Sequence, residues 1–240
     1  MTKHKLKIFI DFDGTITKKD VGEEIILNFG DPEKAFKLIE LWMADKLNSG
    51  ELWLKLYETI KSLDEIEFNK FLNSFEIDDY FQDFISFCKE NDLEVVVLSD
   101  GFDYYISRIL FNSKLDDLPA YSNKLKINYP SDFSLEFPHS DSECTQCANC
   151  KRNHIINNSS EDDFTIYIGD GYSDKCPAQF TDYIFAKRSL LKFCDANRIS
   201  YFPFNNFKDV MERVNSLVNK KRLKKRHQAE LKRREVYAQG

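Results

Sequence analysis

The chain has 240 residues, of which 42% are hydrophobic, and its 34 basic and 40 acidic side chains leave a net charge of −6. So many apolar side chains with so little net charge exclude an intrinsically disordered chain. No run approaches the ~18 apolar residues that a membrane span needs. An acidic motif at residues 11–13 comes too early for a signal peptide, so we expect a cytoplasmic protein without a membrane partner.

The first predicted strand covers residues 5–10 and ends in carboxylates. It is followed at once by Asp11-Phe-Asp-Gly-Thr15, where the glycine and the threonine indicate a turn. From residue 18 to residue 80 the apolar side chains recur at helical spacing, and Asp31-Pro32 and Asn48-Ser49-Gly50 divide this stretch. The pattern predicts a helical region inserted after the first strand.

Two further predicted strands also end in small polar residues. Residues 93–98 are β-branched and almost continuously apolar, which is typical of a strand covered on both faces, and they end at Ser99-Asp-Gly101. Residues 164–168 end in the same way, at Gly169-Asp-Gly-Tyr-Ser-Asp174. Residues 183–186 form a weaker candidate strand.

Strands that alternate with helices predict an α/β fold with a doubly wound, Rossmann-like parallel sheet. The predicted core comprises residues 1–14 and 81–218. Residues 15–80 are predicted to form an inserted helical cap subdomain, and residues 219–240 a basic C-terminal tail. In such folds ligands bind at the carboxyl ends of the strands, which here carry the polar residues.

The strand ends and the segment between the last two supply four carboxylates, one hydroxyl and one amine: Asp11, Asp13, Asp170, Asp174, Ser99 and Lys151. Hard oxygen ligands suit Mg²⁺, which commonly joins protein carboxylates to a substrate phosphate. The Ser99 hydroxyl, the Lys151 ammonium and the backbone N–H groups of Asp100–Gly101 would hold the phosphate oxygens. The pattern predicts a metal-assisted site for a phosphorylated molecule.

These segments resemble, in order and spacing, the four motifs of the haloacid dehalogenase-like phosphatase superfamily. The resemblance spans about residues 7–205, and the helical insert resembles the cap of the phosphoserine-phosphatase-like subfamily. It implies that Asp11 attacks phosphorus to give an aspartyl-phosphate, and that Asp13 serves as general acid and then as general base. It further implies that Asp11, the backbone carbonyl of Asp13 and Asp170 bind Mg²⁺, with Asp174 orienting these ligands.

The substrate is expected to be a small phosphorylated metabolite. Phosphoserine phosphatases have a glutamate where Asp20 stands here, a candidate substrate contact, and their caps bind the substrate carboxylate through an arginine. The first arginine of this chain is Arg108, which counts against phosphoserine. Residues 138–151 resemble 2-hydroxy-3-keto-5-methylthiopentenyl-1-phosphate phosphatases of methionine salvage, and residues 169–177 resemble phosphoethanolamine/phosphocholine phosphatases. We favour the first family and keep the other substrates, and an alcohol in place of water as acceptor, as alternatives.

Three cysteines crowd together at Cys144, Cys147 and Cys150. With His139 nearby, their spacing offers enough nitrogen and sulfur ligands for a structural Zn²⁺ site. The alternatives are a reduced, partly buried loop that packs beside Lys151, or a disulfide that forms only on oxidation.

The tail at residues 219–240 carries nine lysines and arginines against two glutamates. Such a run can bind nucleic acid or simply form a solvated terminal helix. We expect the solvated helix, so nucleic acid is not an expected partner. The rival hypothesis is a nucleic-acid-binding protein with a vestigial phosphatase site.

Overall fold

A computed structural model describes residues 5–142, 144 and 146–239. Its sheet consists of β1 (Leu6–Asp11), β2 (Glu94–Phe102), β3 (Ala120–Asn128), β4 (Asp132–Glu136), β5 (Phe164–Gly169), β6 (Tyr183–Ala186) and β7 (Phe202–Pro203). The spatial order is β4-β3-β2-β1-β5-β6-β7. All neighbouring strands pair in parallel except the antiparallel hairpin of β3 and β4. The predicted doubly wound α/β fold is thereby confirmed.

The strand order reverses at the middle of the sheet. From β1 the chain moves through β2 and β3 to one side, and through β5, β6 and β7 to the other. Asp11 pairs with Leu98, and Ile10 pairs with Ile168, so the ends of the three central strands lie at one edge. A crevice forms where neighbouring connections leave in opposite directions, and this is the usual ligand site of such sheets.

The helices are α1 (Val21–Phe29), α2 (Pro32–Met43), α3 (Ser49–Tyr57), α4 (Glu65–Leu72), α5 (Phe81–Glu90), α6 (Asp103–Asn112), α7 (Lys151–Asn157), α8 (Lys175–Ala178), α9 (Arg188–Ala196), α10 (Phe207–Val218) and α11 (His227–Gln239). Each of the first four begins after a side chain that accepts a hydrogen bond from a backbone N–H of the first turn: Asp20, Asp31, Asn48 and Asp64. Such caps satisfy otherwise unpaired donors and stabilise a helix by ~1 kcal/mol each. They explain why one short insert contains four separate helices.

Both faces of the sheet are covered by apolar side chains. Along β1, Ile8 and Ile10 are buried in one cluster, whereas Phe9 between them belongs to the other. Successive side chains of a strand point to opposite faces, and a strand buried on both sides therefore has the nearly continuous apolar run seen in the sequence.

The helical insert is joined to the core by two adjacent segments. Thr17 and Ile77 form an antiparallel bridge, and the Lys18 N–H donates to the Glu76 carbonyl at 3.0 Å. The insert also packs on the end of β2, where the rings of Trp53 and Phe102 lie 5.1 Å apart. Helices α1 to α3 are thus placed over the strand ends that carry the polar residues.

The basic tail forms the expected helix, but one face of this helix packs on the core while the other is exposed to water. Ala229 of α11 is fully buried, and Arg233 donates to the Phe180 carbonyl at 2.6 Å and pairs with Asp182 at 3.1 Å. The sequence pattern missed this because the apolar stripe of the tail is thin, and the helix is held instead by arginines that satisfy core oxygens. Across the described part of the chain, no helix combines the length and apolar character needed to cross a bilayer.

Candidate active site

Polar side chains from four separate segments meet at the carboxyl edge of the sheet. Asp11 ends β1, Ser99 lies near the end of β2, Asp170 follows β5, and Lys151 begins α7. All four are buried, with exposed fractions between 0% and 6%. Burial of so many polar groups is tolerated only where they are paired or serve a ligand.

Lys151 lies between two carboxylates. Its Nζ is 2.5 Å from Asp11 Oδ1 and 2.8 Å from Asp174 Oδ1, and it also donates to Ser173 Oγ at 3.3 Å. Burial by itself lowers the pKa of a lysine, but the charges of Asp11 and Asp174 raise the pKa of Lys151 well above its usual value. The ammonium therefore stays charged at the centre of the site.

The acidic side chains outnumber this one buried cation. Asp11, Asp170 and Asp174 each offer a carboxylate oxygen, and the three oxygens all lie within 4.8 Å of one another. Burial, followed by the charge of Asp174, raises the pKa of both Asp11 and Asp170. A bound cation would relieve this repulsion, so the donor set fits the predicted Mg²⁺.

Asp174 differs from the other two carboxylates because both of its oxygens already accept hydrogen bonds. Oδ1 accepts from Lys151 and the Tyr167 hydroxyl, and Oδ2 accepts from the backbone N–H groups of Asp170 and Gly171. These donors overcome the effect of burial and lower the pKa of Asp174. Its geometry is that of a residue that fixes the loop after β5, as expected for an orienting role.

Asp13 is held by three donors. Its Oδ1 accepts from the Val21 N–H at 3.1 Å, and its Oδ2 accepts from the Ser99 and Tyr105 hydroxyls at 3.0 Å each. Burial raises the pKa of Asp13, although the hydrogen bonds from Ser99 and Tyr105 oppose the rise. A carboxyl group whose pKa is raised above its usual value is suited to proton transfer.

The Ser99-Asp100-Gly101 turn is fixed from behind by Asn149. The Asn149 side chain donates to the Ser99 carbonyl at 2.7 Å, and its backbone N–H donates to Asp100 Oδ1 at 2.9 Å. Asn149 is in turn bonded to the His154 ring at 2.7 Å. The Asp100 carboxylate therefore helps to fix the turn. The backbone N–H of Asp100 is the group of this residue that could bind a phosphate.

Asp20 lies beside Asp13 at the start of α1. Its carboxylate accepts the Glu23 N–H at 2.8 Å, and burial together with the charge of Asp13 raises its pKa to about 8. The folded chain then holds this proton more tightly than the unfolded chain, whose aspartates titrate near pH 4. The contribution of Asp20 to stability therefore falls as the pH rises from about 4 to about 8.

We expect Asp20→Asn to remove this pH dependence. Asparagine caps a helix as well as aspartate does, so the substitution isolates the charge. Because water still reaches part of the side chain, the variant should gain about 1–2 kcal/mol over the parent between pH 5 and pH 8. Urea unfolding of both proteins at the two pH values, in metal-free buffer, measures the gain; an equal difference at both would contradict the assignment.

A cavity of about 260 Å³ opens from the carboxylates toward the helical insert. Its lining includes the carboxylates of Asp11, Asp13, Asp170, Asp20 and Glu23. The rest of the wall is largely apolar: Ile26, Leu27, Ala35, Phe36, Ile39, Trp42, Leu52, Trp53, Leu56 and Tyr172. Among its described lining residues there is no lysine, arginine or histidine.

The cysteine segment gives no support for the predicted Zn²⁺ site. Cys144, Cys147 and Cys150 form no disulfide, and hydrogen bonds from Cys147 and Cys150 lower the pKa of Cys144. Within the described residues, the acidic triad is the one group of three or more ligand atoms close enough to share a metal, and the three cysteines do not form such a group. The His139 ring packs on Tyr121 at 5.6 Å.

Several side chains of the site were not among the predicted functional residues. Thr15, the last residue of the first motif, donates through Oγ1 to Asp170 Oδ1 at 3.1 Å, and Arg188 pairs with Asp170 Oδ2 at 2.8 Å. Tyr105 and Asn149 also reach the site. For Tyr105 the available signal was its position in the first turn of the helix that follows the Ser99 turn.

The chain is similar to known phosphatases along most of its length. Residues 6–192 match the family described as "Putative Phosphatase". The 2-hydroxy-3-keto-5-methylthiopentenyl-1-phosphate phosphatase of Bacillus cereus (strain B4264) is 34% identical over 224 residues, covering 90% of this chain and 99% of the relative. The enzyme of the same name from Bacillus mycoides (strain KBAB4) is 33% identical over the same length and coverage.

Solved structures show the same fold at lower identity. A phospho-aspartyl intermediate analogue of phosphoserine phosphatase superposes with a TM-score of 0.67 at 21% identity, covering 88% of this chain and 99% of the other. A substrate-bound phosphoserine phosphatase complex gives a TM-score of 0.67 at 22% identity, covering 89% and 99%.

Proposed function

Because the chain belongs to the haloacid dehalogenase-like phosphatases, within the "Putative Phosphatase" family, and is therefore a phosphatase, we propose that it hydrolyses a small phosphate monoester with the help of Mg²⁺. The observation that carries this proposal is the meeting of Asp11, Asp170 and Lys151 at the switch point of the sheet. A carboxylate can approach a phosphate dianion only where positive charge offsets their repulsion.

Asp11 is the proposed nucleophile. It ends the central strand, its Oδ1 is held by Lys151, and it lines the cavity. Attack by the carboxylate on phosphorus would give an aspartyl-phosphate and release the alcohol. Asp11, the backbone carbonyl of Asp13 and Asp170 would hold Mg²⁺, which when bound supplies positive charge next to the phosphate oxygens.

Asp13 is the proposed general acid and base. Burial raises the pKa of Asp13, and its protonated form would give a proton to the departing alcohol. The resulting carboxylate would then take a proton from the water that hydrolyses the aspartyl-phosphate. Lys151 and the backbone N–H of Asp100 would hold the phosphate oxygens. The other two predicted phosphate donors are engaged within the site, since the Ser99 hydroxyl donates to Asp13 and the Gly101 N–H donates to Ser99 Oγ.

The cavity supports an uncharged, apolar leaving group. A substrate carboxylate would meet Asp20 and Glu23 without a described basic partner in the lining, which is unfavourable for phosphoserine. A methylthio-substituted carbon chain, as in the name of the Bacillus relatives, would instead bury apolar surface against Trp42, Trp53 and Leu56. We therefore propose a ketose phosphate of methionine salvage, or a near analogue, as substrate.

Phosphocholine and phosphoethanolamine are the second candidate class. Aromatic faces next to carboxylates can bind an ammonium group, and the cavity combines Trp42, Trp53 and Tyr172 with Asp20 and Glu23. The large apolar part of the wall favours the first candidate, since a small cation would leave it uncovered.

A panel of phosphate esters tests the proposal. Phosphate release should be measured with Mg²⁺ on the 2-hydroxy-3-keto-5-methylthiopentenyl phosphate, phosphocholine, phosphoethanolamine and phosphoserine. We expect the first to have the highest kcat/KM and phosphoserine to be at least ~100-fold poorer, because a desolvated carboxylate without a partner costs several kcal/mol.

Chelation is the control for the metal. Removal of divalent ions should abolish release from every substrate, and added Mg²⁺ should restore it. Activity that persists after chelation would contradict the metal assignment. Efficient phosphoserine turnover would contradict the proposal that the cavity disfavours a substrate carboxylate. Analysis of products formed with added alcohols distinguishes water from another acceptor.

The tail supports a small metabolite rather than nucleic acid as partner. Arg226 donates to the Thr181 carbonyl, and Arg233 is paired with Asp182, so two of the basic side chains are engaged within the fold. The cytoplasmic location remains a prediction from the sequence.

A further inference from the structure

The Asp13 carboxylate is bonded unequally at its two oxygens. Oδ2 accepts two hydroxyl donors, Ser99 and Tyr105, each at 3.0 Å, whereas Oδ1 accepts the backbone N–H of Val21 at 3.1 Å. Ser99 Oγ itself accepts the Gly101 N–H at 2.9 Å, which leaves its hydroxyl proton to point toward Asp13. Ser99 belongs to the recognised motif, but Tyr105 does not.

Tyr105 donates a hydrogen bond to Asp13. Its side chain is fully buried, and its hydroxyl lies 3.0 Å from Asp13 Oδ2. A phenol that donates to a buried carboxylate forms one of the stronger side-chain hydrogen bonds.

The backbone around Tyr105 is arranged to admit its hydroxyl. A Cβ atom on residue 101 would lie 1.6 Å from the Tyr105 hydroxyl oxygen and 2.8 Å from Asp13 Oδ2, so only glycine fits there. Tyr105 lies in the first turn of α6, which starts directly after β2 at Asp103. Side chains of a helix point back toward its N-terminus, and this brings the phenol over the strand end.

We propose that Tyr105 is a positioning residue that holds the Asp13 carboxyl group for proton transfer, with Oδ2 anchored by the two hydroxyls and Oδ1 exchanging the proton with the substrate. The inference rests on the proposed function, in which Asp13 is the acid and base. Without the phenol, Oδ2 loses one of its two anchors and the carboxyl group can rotate away from the leaving oxygen. A small misplacement of a catalytic group lowers its rate contribution markedly.

The test compares leaving groups that differ in their need for a proton. An alkyl phosphate must be protonated as it leaves, whereas p-nitrophenol leaves as a stable anion. The kcat/KM value reports the steps up to formation of the aspartyl-phosphate, and so isolates this proton transfer. We expect Tyr105→Phe to lower kcat/KM for n-butyl phosphate by roughly 10-fold or more, and for p-nitrophenyl phosphate by less than ~3-fold.

Tyr104→Phe is the matched control. Tyr104 lies one residue earlier on α6, and its hydroxyl is bonded to Tyr129 at 2.8 Å, away from Asp13. The control loses a phenol hydroxyl from the same helix and should leave both kcat/KM values unchanged. Thermal unfolding of the two variants measures the structural cost of each lost hydroxyl.

Asp13→Asn separates failure of this inference from failure of the proposed function. Asp13→Asn should itself lose far more activity on n-butyl phosphate than on p-nitrophenyl phosphate. If Asp13→Asn loses both equally, the acid role of Asp13 is overturned and the role of Tyr105 with it. If Asp13→Asn is selective but Tyr105→Phe affects both substrates equally, or neither, the positioning role alone is overturned.

Discussion

We expect Asp11→Asn to lower the rate of phosphate release by a factor of ~10⁴ or more while the protein stays folded. Asparagine has nearly the shape of aspartate, but its amide cannot attack phosphorus. The substitution also removes a carboxylate whose burial raises its pKa, although it leaves Lys151 paired only with Asp174. These two effects oppose each other, so the unfolding midpoint should change little.

The measurement is steady-state phosphate release by protein from independent preparations, together with thermal unfolding. Asp11→Ala serves as a second variant, because an asparagine can deamidate to aspartate and restore some activity. Persistent turnover by Asp11→Ala above ~1% of the parent rate would contradict the nucleophile assignment. Loss of activity with loss of folding in both variants would contradict the expectation that this carboxylate serves chemistry rather than stability.

Of the substitutions proposed, Lys151→Met should lower the free energy of unfolding the most. The substitution keeps the length of the side chain but removes the cation that lies 2.5 Å from Asp11 and 2.8 Å from Asp174. Breaking a buried ion pair by removing one partner costs about 3–5 kcal/mol, since the remaining charge is left in a poor environment. Asp11 would respond by keeping its proton, so turnover should fall by at least ~100-fold as well.

The contrast with an exposed pair makes this prediction specific. Lys89 lies 2.6 Å from Asp117, but both side chains are well exposed to water. Lys89→Met should therefore lower the free energy of unfolding far less than Lys151→Met does, although the two ion pairs have almost the same length. Urea unfolding in metal-free buffer gives both values. An equal cost for the two lysines would show that burial does not govern the energy of the Lys151 pair.

Added Mg²⁺ should distinguish the effect of Lys151→Met on stability from its effect on turnover. A divalent ion next to Asp11 and Asp170 would neutralise part of the charge that Lys151 leaves behind, so it should restore some stability. It should not restore turnover to the parent rate, because the lysine also holds the phosphate.

What the sequence determined by itself lies within short contiguous segments. A buried strand that ends in Asp11-Phe-Asp-Gly-Thr specifies its own turn, and the apolar run before Ser99 does the same. Parallel strands bring such ends to one edge, so the fold class and the acidic cluster could be predicted from local pattern. The helices of the insert could also be predicted from the sequence, because the residues that cap them are polar and directly precede them.

The tertiary structure decided everything that depends on which side chains face each other across the chain. The Tyr105 phenol reaches Asp13 from a helix whose sequence is otherwise ordinary, and Arg188 meets Asp170 from the first residue of α9. The acidic and apolar character of the cavity likewise arises only when the insert lies over the sheet. Hydrogen bonds and cavities depend on distances of a few ångströms between residues far apart in sequence, and hydrophobic periodicity carries no information at that scale.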